Sequence, residues 1–214
     1  MTQDDKLELY IREHIDPESD YLNDLYRHTH LELLYPRMAS GHIQGRLLKM
    51  LVQMVNPTYL LEIGTYSGYS GLCLAEGLKP EGQLYTLEIN DEQEEFTRPW
   101  FENSPYRDKI HFIIGNALDV IPTLNITFDM AFIDGDKRLY REYYEMVLEH
   151  LRPGGYILAD NTLWSGHVIE EPTPKDAQTQ GIMAFNDFLA KDTRVEKVIL
   201  PLRDGLTMIR KKEA

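Results

Sequence analysis

The stretch Tyr59-Leu-Leu-Glu62-Ile63-Gly64-Thr65-Tyr66-Ser67-Gly68-Tyr69-Ser70-Gly71 runs from a short apolar segment through a glycine-rich turn into a helical pattern. Gly64 lets the chain turn tightly and lets a ligand approach the backbone, and Gly68 permits close packing where the next helix begins. The free N–H groups of that helix start point outward, towards a ligand. The Gly64-x-x-x-Gly68 spacing departs from the dinucleotide fingerprint, and the missing Gly-Lys-Ser/Thr ending excludes a phosphate-cradling NTPase loop. Further short apolar runs lie at 84–88, 110–114, 128–133, 156–159 and 195–200. Helical patterns separate most of them, such as Tyr140, Tyr144, Val147, Leu148 and Leu151. Strands alternating with helices indicate βαβ units and a mostly parallel sheet. Pro201-Leu-Arg-Asp-Gly205 is a tight turn leading at once into 206–210, so the last strand is expected to run against the others.

Upstream, residues 1–56 read as helical. Leu7, Tyr10, Ile11 and His14 share one face, and Leu22, Leu25 and Tyr26 mark a second helix after Pro17. Ile43, Leu47, Met50, Leu51, Met54 and Val55 form a third stripe at helical spacing. The expectation is an α/β fold: a doubly wound, mostly parallel sheet with an antiparallel C-terminal strand, preceded by N-terminal helices. One domain, 1–214, is expected, with 57–214 as the sheet core.

Hydrophobic residues at 43% and charged residues at 27% of 214 give a globular composition, and the length suits one α/β domain. The net charge of −13 opposes encounters with nucleic acid or an anionic membrane surface. Cys73 is the single cysteine, which excludes an internal disulfide and a thiolate metal cage. Met1-Thr-Gln-Asp-Asp5 lacks the basic start and apolar core of a secretory signal, and no apolar run reaches membrane-spanning length. A cytoplasmic protein is expected, and the sequon Asn125-Ile-Thr127 is then without consequence.

Glu88 closes the second strand, twenty residues after Gly68. A carboxylate there accepts both hydroxyls of a ribose, and with the Gly64 turn it suggests an adenosine-containing ligand whose tail is not a pyrophosphate. Glu88 also reads as the start of the acidic surface helix of Asp91, Glu92, Glu94 and Glu95. Two further strands end in oxygen-bearing side chains: 128–133 runs into Asp134-Gly-Asp136-Lys137, and 156–159 into Asp160-Asn161. If those strands are neighbours, Asp134, Asp160 and Asn161 converge and suit Mg²⁺, Ca²⁺ or Mn²⁺ better than Zn²⁺. The alternative is that these residues cap helices and form turns. That is the preferred reading for Asp136; for the other three the residues alone leave both readings open. Lys137 is either a solvated helix residue or, beside a cation-bound hydroxyl, a proton acceptor or oxyanion stabiliser.

Together these segments resemble the cation-dependent class I S-adenosylmethionine O-methyltransferases, the group containing catechol and caffeoyl-CoA O-methyltransferases. The resemblance covers most of the chain from about Met38 onward. It rests on Arg37-Met-Ala-Ser-Gly-His-Ile-Gln-Gly45, Leu61-Glu-Ile-Gly-Thr-Tyr-Ser-Gly-Tyr-Ser70, Phe132-Ile-Asp-Gly-Asp-Lys137 and Leu151-Arg-Pro-Gly-Gly155. Asp160-Asn-Thr-Leu-Trp164 and Gly205-Leu-Thr-Met208 complete it. It implies a Rossmann-like fold, S-adenosylmethionine as methyl donor, a divalent cation (Mg²⁺ foremost), a phenolic small-molecule acceptor and a homodimer. Asp134, Asp160 and Asn161 match the metal ligands, and Lys137 matches the catalytic lysine. Asp134 matches both the catalytic and the cofactor-binding set. Glu88 matches the ribose-binding acid. Glu62, Gly64, Tyr66 and Ser70 match residues around the methionine part of the donor, flanked by Met38 and Ser40. Asn116 and Ala117 match the adenine-facing segment, while Trp164 and Met38 match the acceptor pocket. The first 36 residues and the 165–180 loop match no particular acceptor branch.

A nucleotide-dependent oxidoreductase on the same fold is disfavoured by the Gly64/Gly68 spacing and the oxygen cluster. A non-catalytic module that retains the donor pocket is disfavoured by the intact Asp134, Lys137, Asp160 and Asn161. His28 and His30 lie two apart and cannot share a helix face, so they do not form a metal pair. His42 reads as a local hydrogen-bonding residue and Arg210-Lys-Lys212 as a solvated tail. Tyr10, Tyr21, Tyr26 and Tyr35 read as core or subunit contacts. Arg12, Arg27, Arg37 and Arg46 are the candidates for a basic entrance that would favour an anionic thioester acceptor.

Overall fold

Strands covered on both faces need nearly uninterrupted apolar sequence, and the central strands have it. In β1 (Tyr59–Ile63) every residue after Tyr59 is buried, and in β4 (Phe128–Ile133) all but Asp129. Met130 and Phe132 face one side of the sheet with Leu60, Leu84 and Leu158. Ala131 and Ile133 face the other with Leu61, Ile63, Leu87, Ile157 and Ala159. Truncating a fully buried aromatic such as Phe132 to alanine costs about 3–5 kcal/mol. Glu62, in the middle of β1, is the polar exception.

The computed structural model describes residues 3–213 apart from Pro172 and Pro174, so Met1 and Thr2 of the N-terminal reading lie outside the described residues. Three helices come first: α1 (Gln3–Glu13), α2 (Asp20–Glu32) and α3 (Gly41–Val55). After β1 follow α4 (Tyr69–Gly77), β2 (Gln83–Glu88), α5 (Glu94–Glu102), β3 (Ile110–Ile114) and the single turn α6 (Ala117–Val120). After β4 follow α7 (Tyr140–His150), β5 (Leu151–Asp160), α8 (Ala177–Lys191), β6 (Val195–Leu200) and β7 (Leu206–Lys211). The strands form one seven-stranded sheet in the order β3-β2-β1-β4-β5-β7-β6. Neighbours from β3 to β5 are parallel, and β7 is antiparallel to both β5 and β6. This is the expected doubly wound α/β sheet with its reversed last strand.

Local chemistry sets the helix ends. Ser19 caps α2 by accepting from Leu22 N, and Asp176 caps α8 by accepting from Thr179 N. Asn56 ends α3 in the left-handed conformation, followed by Pro57, which cannot continue a helix. Buried Arg46 and partly buried Lys49 both pair with Glu76, fastening α3 to α4 at 2.6 and 2.7 Å.

Two sequence expectations, the covered face of α3 and the free C-terminal tail, need correction. The α3 stripe is rotated: Gln44, Leu48, Leu51 and Val52 are buried, whereas Met50 and Met54 are 57% and 79% exposed. Apolar residues lie on most sides of α3, so its period alone did not select the covered face. The apolar face of α1 carries exposed Leu7 and Tyr10. Tyr10 and Tyr35 are also exposed, which removes the core reading for them and leaves the subunit-contact reading. The basic C-terminal run is not a free tail: Lys211 Nζ donates to the carbonyls of Leu148 and Leu151, and Lys212 Nζ to that of Thr193.

Candidate active site

Strand order reverses between β1 and β4, and in open parallel sheets ligands bind beyond the strand ends at such a point. Ladder-like hydrogen bonds continue one residue past the strands: Gly64 N donates to Leu87 O (2.9 Å) and Asp134 N to Ile63 O (2.8 Å). The glycine-rich turn and Asp134 are therefore back to back. Gly64 has φ +95°, and a Cβ there would lie 2.4 Å from the Asp134 carbonyl oxygen, so no other residue fits. A cavity of about 1000 Å³ opens over this junction.

At one end of the cavity, Glu88 is nearly buried and both of its oxygens are held. Oε2 accepts from Tyr66 N (2.8 Å) and Oε1 from Asn90 N (2.9 Å). The left-handed conformation of Tyr66, φ +48°, aims that N–H at the carboxylate. A carboxylate has about four acceptor sites, so each Glu88 oxygen keeps one for a ligand hydroxyl. Nearby, the Oε1 atom of Gln93, another cavity residue, is buried without a hydrogen-bond partner among the described residues. An unpaired buried acceptor of this kind calls for a donor on a bound molecule. The adenosine end of a donor, with ribose hydroxyls and a ring amine, fits both features.

Met38, Ser40, Gly64, Tyr66 and Ser70 also line the cavity, as does Ala117. Two predicted residues do not. Asn116 turns its side chain onto its own helix, where Oδ1 accepts from Leu118 N at 3.1 Å. Glu62 is wholly buried beneath the turn, accepting from Ser70 Oγ (2.6 Å) and Thr86 Oγ1 (2.5 Å). Burial pushes the Glu62 carboxyl up to about 8; the two hydroxyls oppose that shift, and the charges of Asp134 and Glu88 reinforce it.

At the other end, β4 and β5 are parallel neighbours with Ile133 opposite Ala159. That register sets Asp134 beside Asp160, the convergence that the sequence could only suppose. Asp160 is 3% exposed; its Oδ1 accepts from Asn161 N (2.9 Å) and its Oδ2 from Gln44 Nε2 (2.7 Å). Burial and then the Asp134 charge push the Asp160 carboxyl up. Two carboxylates crowded in this way, with the Asn161 amide beside them on the same cavity wall, form an all-oxygen donor set that fits a hard divalent cation. Among the described residues no group of three or more His, Cys, Asp or Glu is arranged to hold a metal ion, so a cation at this edge would need the Asn161 amide as well.

Lys137 sits at this edge and is buried, not solvated. Its Nζ donates to Asp134 Oδ1 and to the Tyr140 hydroxyl, both at 2.6 Å. The Tyr140 hydroxyl donates onward to Asp160 O at 2.9 Å, and burial keeps its pKa far above the usual phenol value. Asp136 follows its capping reading: its side chain accepts from Arg138 N and pairs with the Arg138 guanidinium, which holds the carboxyl low. Trp164 lines the cavity and packs against the core, so its pocket and packing readings coexist. Of the four arginines weighed for a basic entrance, only Arg37 lines the cavity, while Arg46 is buried against Glu76. Six carboxylates and three cationic side chains line the walls, an electrostatic preference for a cationic ligand.

Three residues of this edge escaped the sequence reading. Gln44 carried a signal, as a polar residue inside the apolar pattern of α3. Tyr140 was read only as part of a helical stripe. Arg203 lay unremarked in the tight turn before β7.

The chain is similar to known proteins along most of its length. The sequence profile of the O-methyltransferase family matches residues 12–212. Caffeoyl-CoA O-methyltransferase 2 of Zea mays is 37% identical over an alignment covering 81% of this chain and 70% of that protein. An O-methyltransferase of Streptomyces achromogenes involved in tomaymycin synthesis, solved in complex with SAM, superposes with a TM-score of 0.91 at 29% identity, covering 100% of both chains. An O-methyltransferase of Bacillus cereus in complex with SAH gives a TM-score of 0.90 at 30% identity over 97% of each chain. With a switch-point cavity of matching chemistry and a family match of this extent, the chain belongs to the O-methyltransferase family and is an S-adenosylmethionine-dependent enzyme.

Proposed function

We propose that this enzyme transfers a methyl group from S-adenosylmethionine to one hydroxyl of a catechol-like small molecule, with a divalent cation, Mg²⁺ foremost, held by Asp134, Asp160 and Asn161. The observation that carries this reading is the pairing of Asp134 and Asp160 at the ends of adjacent parallel strands, on the cavity that also exposes the Gly64 turn and Glu88. When bound, the donor supplies a methyl already activated on a sulfonium sulfur, and the cation favours the deprotonated form of a hydroxyl placed on it.

The chain's own residues do the rest. Glu88 accepts the two ribose hydroxyls through the lone pairs left free by Tyr66 N and Asn90 N. Gly64, Ser70, Met38 and Ser40 bound the methionine end, with Ala117 at the adenine end. The excess of carboxylates on the walls favours a cationic sulfonium over its neutral product. A phenol holds its proton to pH ~10, so the acceptor needs help at neutrality. Lys137 is positioned to give it: Asp134 and Tyr140 hold Nζ in place, leaving its remaining valence for the acceptor oxygen. As an amine Nζ takes the proton; as an ammonium it steadies the oxyanion. Trp164 and Met38 offer apolar surface to the aromatic ring. Alignment of oxygen and methyl by such a cavity can remove ~7–11 kcal/mol from the barrier. A homodimer, which the family resemblance implies, and a cytoplasmic location belong to the same reading.

The test is to incubate the enzyme with S-adenosylmethionine, Mg²⁺ and either a catechol or its monohydroxy analogue, and to measure S-adenosylhomocysteine. Product from the vicinal diol alone is expected. Equal turnover of the monohydroxy compound would overturn the two-hydroxyl requirement.

A further inference from the structure

Gln44 and Arg203 carry no step of the proposed chemistry, yet they meet at the cation edge. Gln44 is 1% exposed and lies in the first turns of α3. Its Nε2 donates to Asp160 Oδ2 at 2.7 Å, and its Oε1 accepts from Arg203 Nη1 at 2.8 Å. The amide is thereby polarised in one sense only. An arginine cannot accept a hydrogen bond, so Arg203 forces the oxygen of Gln44 towards itself and the NH₂ towards Asp160.

The consequence for Asp160 is orientation without neutralisation. A guanidinium placed directly on the carboxylate would compete with a divalent cation for its charge. With a neutral amide between them, Asp160 is held at Oδ2 by Gln44 and at Oδ1 by Asn161 N, and each oxygen retains acceptor capacity. Arg203 is itself anchored. It adopts φ +48°, a conformation rarely taken by side-chain-bearing residues, in the turn between β6 and β7. That turn is fastened to the loop carrying Asn161: Gly205 O accepts from Thr162 N, and Asp204 O from Leu163 N and Trp164 N. The same guanidinium donates to the Ser40 carbonyl, at the end of the segment lining the donor side.

We propose that Gln44 and Arg203 are positioning residues. Gln44 orients Asp160 for a divalent cation, and Arg203 fixes the sense of the Gln44 amide while tying the cation edge to the Ser40 segment. This inference rests on the cation reading above.

The experiment titrates Mn²⁺ into the full-length wild type, Gln44→Met and Arg203→Gln, following binding by electron paramagnetic resonance and folding by circular dichroism. S-adenosylhomocysteine affinity is measured in parallel by calorimetry. Gln44→Met keeps the buried volume and removes both hydrogen bonds. It should raise the Mn²⁺ dissociation constant about 10–100-fold, the usual effect of losing a residue behind a metal ligand, and leave S-adenosylhomocysteine affinity unchanged. Arg203→Gln should weaken both. Folded Gln44→Met that binds Mn²⁺ like the wild type overturns the proposal, because a merely structural role predicts that result. A wild type that takes up no Mn²⁺ overturns the cation reading instead, and the positioning role falls with it.

Discussion

The donor end of the cavity is built mainly on one β1–α4–β2 unit, which supplies Gly64, Tyr66, Ser70 and Glu88, and the Glu88 contacts are backbone to carboxylate. The cation end draws Asp134 and Asp160 from separate strands. It also leans on Gln44 and Arg203, which are 159 residues apart in sequence. A short-range motif fixes the first. The second exists only because β4 and β5 pair in one register and the β6–β7 turn folds back over α3. Apart from Arg203, which bridges them, the two ends should therefore fail independently, and substitutions can separate them.

Asp160→Ala should have the largest effect. It removes a proposed ligand of the cation, and since a Lewis acid is worth several kcal/mol, turnover should fall about a thousandfold. Calorimetry should show S-adenosylhomocysteine still binding normally; loss of that binding would break the separation. Lys137→Ala comes next, with a decrease in turnover of about a hundredfold, as expected for a lost proton acceptor. Glu88→Gln acts at the opposite end. It should raise the donor dissociation constant about tenfold, the value of one charge-assisted hydrogen bond, and leave Mn²⁺ binding intact.

Beneath both ends the expected effect is on stability rather than on turnover or binding. Glu62 titrates near 8 in the folded protein, above the carboxylate range of the unfolded chain. Between those values the folded state keeps a proton that the unfolded state has released, so the Glu62 contribution weakens as pH rises from about 5 to 8. Urea unfolding across that range should show wild-type stability falling relative to Glu62→Gln by about a few kcal/mol. Parallel curves would contradict the assigned shift.

The same contrast explains what was legible in the sequence. The donor turn could be read from Gly64 and Gly68 because a tight turn and a close backbone approach demand glycine locally. The parallel sheet and its reversed last strand could be read from short apolar runs and from the 201–205 turn. Asp134 and Asp160 could be named but not joined, because their adjacency depends on strand order, which no local pattern encodes. Gln44 was visible only as an oddity in α3, and its meaning depends on Arg203 arriving from the far end of the chain. The covered face of α3 was misjudged for a related reason: Met50 and Met54 keep the helical period as well as Leu48 and Leu51 do. Glu62 could be placed near the donor by resemblance, but its full burial under Ser70 and Thr86 follows from three-dimensional packing alone.

The central claim is that a cation at the Asp134–Asp160 edge is required for transfer and is separate from donor binding. It is tested most directly by measuring catechol turnover and S-adenosylhomocysteine affinity in the same preparation before and after stripping divalent ions with a chelator. The account predicts that turnover stops, returns on adding Mg²⁺, and that S-adenosylhomocysteine affinity does not change. Undiminished turnover in the stripped enzyme would contradict it.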